Sequence, residues 1–133
     1  MAERFTNFLG TVRDGELTVV PASSSSDDTR TNGSIVQVHS LYLTVSKNGT
    51  FTETERTNAS NYINANIFVN DALKGKIYVA YGVLLVPGCP FYIEKNITLT
   101  ENQSLGISVT NSTSFTINAV ASAVEFIEDS EEF

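Results

Sequence analysis

The sequence has no tryptophan and only one histidine, one cysteine and one methionine, and these absences exclude most site chemistry before any motif is sought. A lone Cys89 cannot form an intramolecular disulfide, and its setting in Pro87-Gly88-Cys89-Pro90 reads as a small buried or turn residue. A zinc site needs several His or Cys ligands, and the chain has one of each. Any Ser-His-Asp or Cys-His mechanism would have to run through His39, which lies in a strand-like run between Val38 and Ser40 and reads as a structural or surface histidine. The serines from Ser23 to Ser26 lack the strained elbow that activates a nucleophile. No glycine pattern cradles phosphate, and Asp27-Asp28 lacks the spacing of a calcium loop. A glycosidase needs two acids held across a sugar cleft, and Glu53, Glu55, Glu94 and Glu101 all fall in loops or on polar strand faces. The expectation is a protein that is not an enzyme, with no catalytic residue, no cofactor and no metal.

Positive charge is also scarce. Eight basic residues face fifteen acidic ones, for a net charge of −7, and no basic stripe is present to condense on phosphates, so nucleic acid is not an expected partner. Five of the acids, Glu125, Glu128, Asp129, Glu131 and Glu132, lie at the carboxyl end, which reads as a solvated acidic tail over residues 127–133 behind a folded domain of residues 1–126. No apolar run approaches the roughly 20 residues of a membrane span, and Met-Ala-Glu-Arg-Phe-Thr-Asn does not resemble a signal segment. Synthesis in the cytoplasm, with no membrane partner, is the expectation. Six Asn-X-Ser/Thr sequons then reflect turn-forming composition rather than glycan attachment.

A 3.6-residue stripe is missing as well, and a two-residue period runs through nearly the whole chain. Ile63, Ala65, Ile67 and Val69 alternate with Asn64, Asn66, Phe68 and Asn70, the pattern of a half-buried strand with Tyr62 on the polar side. From Ser34 to Ser46 the apolar phase slips, Val36 and Val38 sharing one parity and Leu41, Leu43 and Val45 the other, so a bulge near His39 and Ser40 is expected. Ile77 to Val86 is apolar on both faces and reads as a central strand or one covered on both sides, a partner subunit being one source of cover. Lys95 interrupts the run from Phe91 to Leu99 and marks an exposed strand end or an interface. Leu105 to Val109 and Phe115 to Ala119, joined by Asn111-Ser112-Thr113, read as a hairpin. With Arg4–Val12 and Leu17–Ala22 these segments make about eight strands, and the predicted fold class is all-β, an antiparallel β-sandwich resembling a jelly roll. The polar stretches Ser23–Gly33 and Asn48–Ser60 read as mobile contact loops.

Five segments occur in a recognisable order: Thr18-Val19-Val20-Pro21-Ala22, Ile35 to Val45, Tyr78-Val79-Ala80 to Pro87-Gly88, Ile97 to Val109, and Phe115 to Glu128. In order and spacing the chain resembles small virion structural proteins of tailed phages, notably those infecting marine cyanobacteria, with longer loops at Ser23–Gly33 and Asn48–Ser60. The resemblance implies a non-enzymatic particle component present in many copies, a capsid decoration or cement protein or a head–tail neck accessory. It also implies virion localisation, a homo-oligomer, and contacts with capsid, neck or tail proteins. Interface candidates are Tyr62, Phe68, Tyr78, Tyr81 and Tyr92, with Phe5 and Phe8 in the amino-terminal strand. The alternative is a tail-associated adhesion module whose exposed aromatics bind a host glycan or receptor.

Overall fold

The structure is a computed structural model that describes residues 2–23, 30–46, 63–86, 88–110 and 115–127. Nine strands are described: β1 (Ala2–Val12), β2 (Gly15–Val20), β3 (Ile35–Ser46), β4 (Ile63–Asp71), β5 (Gly75–Leu85), β6 (Phe91–Ile93), β7 (Ile97–Leu99), β8 (Gln103–Thr110) and β9 (Thr116–Ile127). No described residue is helical.

The pairing is nested. β1 pairs with β9, β2 with β8, β3 with both β6 and β7, and β4 with β5, all antiparallel. Folding that long ribbon over itself brings β9 against β3 and β8 against β4, giving one sheet of order β1-β9-β3-β6, with β7 also on β3, and a second of order β2-β8-β4-β5. This is an antiparallel β-sandwich with jelly-roll connectivity.

The core lies between the sheets. Val36, Val38, Leu41, Leu43, Ile117 and Ala121 from the first sheet meet Val20, Ile63, Ile67, Leu85, Leu105 and Ile107 from the second, all buried. The β3 register shifts between Val38 and Ser40, so the predicted bulge is present and keeps both apolar sets inward.

Three expectations change. β8 and β9 do not form a hairpin: β8 lies between β2 and β4, and β9 between β1 and β3 in the other sheet. Each strand is thus flanked on both edges by partners distant in sequence. The run at β5 is not central. It is the edge of the second sheet, and Ile77, Tyr78, Val79, Tyr81 and Leu84 are exposed. The Ser23–Gly33 stretch is anchored at both described ends, since Ser23 and Arg30 are buried, as is Ser34 immediately after it. Asn48–Ser60 lies outside the described residues. Lys95 is exposed at the break between β6 and β7.

Candidate functional site

The register places each interface candidate. Phe8 is 2% exposed and does not belong to a surface: it points inward from β1 opposite Ala121, and the alternating alanines Ala119, Ala121 and Ala123 leave room for its ring. Phe5, on the opposite parity of the same strand, is 82% exposed. Phe68 is 3% exposed and also unavailable for contact, although it lies on the outer face of the second sheet. Its ring is seated over Gly106, where a Cβ would come within 2.8 Å of two ring carbons, and Lys76 Nζ stands 4.7 Å from its centroid. Tyr78, Tyr81 and Tyr92 are exposed as expected, and Tyr62 lies outside the described residues.

Two outward surfaces result. On the first sheet, Leu9 stands opposite Val120, Val120 opposite Tyr42, and Tyr42 opposite Tyr92. This is a single cross-strand row of apolar side chains running over β1, β9, β3 and β6. The tyrosine rings are stacked, with centroids 5.3 Å apart at 28°. A polar row follows, where Ser122 Oγ donates to Asn7 Oδ1 at 3.0 Å, and beyond it Phe5 pairs with Val124. Tyr42 and Leu9 were not among the interface candidates; the parity of Tyr42 against buried Leu41 and Leu43 was the signal that could have found it. On the second sheet, Tyr78 contacts both Phe68 and Tyr81, and Lys76 forms an ion pair with Glu16 that raises the lysine's pKa.

Ionisable groups gather in one place, and it is buried. Arg30 donates to the carbonyls of Pro21 (2.9 Å), Gln103 (2.7 Å), Ser34 (2.6 Å), Thr100 (2.8 Å) and Leu99 (3.3 Å), so one guanidinium ties the 30–34 segment to the chain ends around β2, β7 and β8. Burial pushes its pKa down, opposed by Glu125 and then Glu101. Glu125 is fully buried, which corrects its assignment to a solvated tail: it faces inward near the end of β9. Its carboxylate accepts from the Thr31 amide at 2.7 Å and Ser34 Oγ at 3.3 Å, and meets Arg4 Nε at 3.2 Å. Arg30 spends both terminal nitrogens on backbone carbonyls and its Nε on Ser34 Oγ at 3.3 Å, the arrangement of a structural clasp.

Elsewhere, His39 is exposed, with Nδ1 3.0 Å from Asn96 Oδ1. Cys89 is exposed in a turn whose amide donates to Val86 O at 3.0 Å, so it is a turn residue and not a buried one. Among the described residues no three His, Cys, Asp or Glu side chains lie together as metal ligands, and no helix is long and apolar enough to cross a membrane.

Fold and surfaces together define a jelly-roll sandwich with exposed aromatic groups on the outer faces of both sheets. No family model matches the sequence, and neither does any curated protein. Among solved structures the chain is similar to the Yersinia pseudotuberculosis-derived mitogen, at 14% identity and a TM-score of 0.38, covering 98% of this chain and 93% of that one. It is also similar to the CBM22-1 xylan-binding domain from Paenibacillus barcinonensis Xyn10C, at 8% identity and a TM-score of 0.31, covering 92% and 88%. Likenesses at this distance say nothing about what this chain binds.

Proposed function

We propose that this protein is a non-enzymatic structural component of a tailed-phage particle, a capsid decoration or cement protein or a neck accessory, which docks on other particle proteins through the outer face of its first sheet. The observation that carries the docking surface is the row Leu9–Val120–Tyr42–Tyr92. A solvated sheet face ordinarily alternates to polar residues, and a continuous apolar row crossing four strands, with exposed Phe5 two rows away, is the kind of patch that marks a protein contact. The ordered motif resemblance supports the particle setting, where repetition on a symmetric lattice multiplies individually weak contacts.

Quantitative mass spectrometry of the purified parent particle tests this reading. The expected result is a stoichiometry of many copies per particle, and loss of incorporation for a folded Leu9→Lys, Tyr92→Lys double variant. Absence from the particle, or full incorporation of that variant, would overturn it.

A further inference from the structure

The outer face of the second sheet carries an aromatic corner that the backbone has been bent to build. Tyr78 and Tyr81 are three positions apart, so in a regular strand they would point to opposite faces. Here β5 carries two extra residues relative to β4. Ile67 pairs with Ala80 while Phe68 pairs with Tyr78, and Ala65 pairs with Val83, so the register shifts twice, around Val79 and around Tyr81–Gly82. Gly82 has φ of 70°, the left-handed conformation that a bulge of this kind requires. Its backbone N–H donates to Asn66 Oδ1 at 2.7 Å, and Asn66 Nδ2 donates to Ser108 Oγ at 3.4 Å, so the bulge is bolted to the two neighbouring strands. The outcome is that the rings of Tyr78 and Tyr81 meet edge to face, centroids 5.1 Å apart at 89°. Phe68, sunk over Gly106, supports Tyr78 from below at 6.0 Å and 70°.

The chemistry around this corner differs from that of the first sheet. Tyr81 is 74% exposed and Tyr78 48%, and the outward positions flanking them on β4 and β8 are Asn64, Asn66, Asn70, Ser104, Ser108 and Thr110. Among the described residues, the charges on this face near the corner are Lys76 and Glu16, which form an ion pair. A protein contact is ordinarily built around a contiguous apolar patch, with arginine prominent among its polar groups. The ring pair shares its edge strand with exposed Ile77, Val79 and Leu84, but the outward positions beside it on β4 and β8 are uncharged amides and hydroxyls with no arginine, which matches a ligand with an apolar C–H face and many neutral hydroxyl groups. Such a ligand stacks on an aromatic face and exchanges water for amide hydrogen bonds at little electrostatic cost.

We infer that Tyr78 and Tyr81, positioned by the Gly82 bulge, form a binding subsite for a neutral saccharide chain. Asn64, exposed one outward row away with Leu84 opposite, supplies hydrogen bonding beside the rings. The inference stands independently of the docking face on the first sheet, since the two surfaces lie on opposite sides of the sandwich.

Affinity gel electrophoresis of the intact chain in gels containing dextran, mannan, soluble starch, galactan or hydroxyethylcellulose, with alginate as an acidic comparison, tests it. The expected result is retardation by at least one neutral polysaccharide, with an apparent Kd weakened about tenfold or more by Tyr81→Ala, retained by Tyr81→Phe and unchanged by His39→Ala. A cooperative thermal transition for each variant establishes that it is folded. Retardation by alginate alone, by none of the polymers, or equally for Tyr81→Ala would overturn the inference. So would loss of particle incorporation by Tyr81→Ala without any polysaccharide binding, which would make the corner a protein contact.

Discussion

Glu125 Oε1 accepts the backbone N–H of Thr31 at 2.7 Å across 94 positions of sequence. This bond ties the last strand to the segment leading into β3, and Ser34, which accepts from Arg30 Nε and donates to Glu125, links it to the buried guanidinium. Removing either side chain leaves the buried carbonyls, or the buried amide and hydroxyl donors, that it satisfied without a partner. Glu125→Ala and Arg30→Ala are each expected to cost at least about 1–3 kcal/mol in urea unfolding. The double variant is expected to cost less than the two together, because the groups share one network. Additive losses would show that they act separately.

Asp71 closes the β4–β5 turn. Its carboxyl pKa lies below the ordinary value chiefly because Gln103 donates to it, and then because the Leu73 and Lys74 amides do. A folded-state pKa below the unfolded one means that the contribution is full above the usual carboxylate range and is lost as pH falls through the folded value. Amide exchange at Leu73 and Lys74 is therefore expected to show protection lost on acidification in the native chain. In Asp71→Asn the acid dependence of that protection is expected to disappear.

Gly106 and Gly82 are constrained for different reasons. A methyl group on Gly106 would meet the Phe68 ring at 2.8 Å and the Leu17 carbonyl oxygen at 3.2 Å, so Gly106→Ala is expected to destabilise by about 1–3 kcal/mol and to lift Phe68 from its seat. Nothing lies near a Cβ on Gly82, and its cost is backbone strain alone, about 1–2 kcal/mol for Gly82→Ala. Denaturant midpoints measure both. Near-ultraviolet circular dichroism is expected to change in both variants, because each moves the tyrosine corner.

Phe5 and Phe8 provide a direct contrast within one strand. Phe8→Ala opens a hole among small residues and is expected to cost about 3–5 kcal/mol. Phe5→Ala is expected to change the stability of the isolated chain by less than about 0.5 kcal/mol. Similar losses for the two would mean that β1 is registered differently against β9.

Much of the fold was legible in the sequence because strand periodicity is local. The alternation at Ile63–Val69 and the phase slip at His39–Ser40 follow from which parity must be dry, and the structure places both as read. The β8–β9 hairpin misled because a short polar turn does not say whether the chain returns to the same sheet or crosses to the other. The apolar run at β5 misled for a related reason: hydrophobicity on both faces describes a strand wanting cover, not one that has it. The buried clasp was not legible at all. Arg30 lies in a polar loop and Glu125 beside a run of acids, and only the convergence of remote carbonyls and amides reveals why each is needed.

Composition by itself determined that no intramolecular disulfide can form and that no site can draw two histidines from one chain, since a residue the chain lacks cannot be supplied by folding. Its period of two, with no helical stripe to offer other cover, determined that sheet must pack on sheet, because an alternating strand leaves one face to be hidden. The tertiary structure alone decided which aromatics are surface. Phe68 and Phe8 are hidden while Tyr42 and Tyr81 are exposed, because register and bulges set the direction of a side chain and both depend on strands distant in the chain.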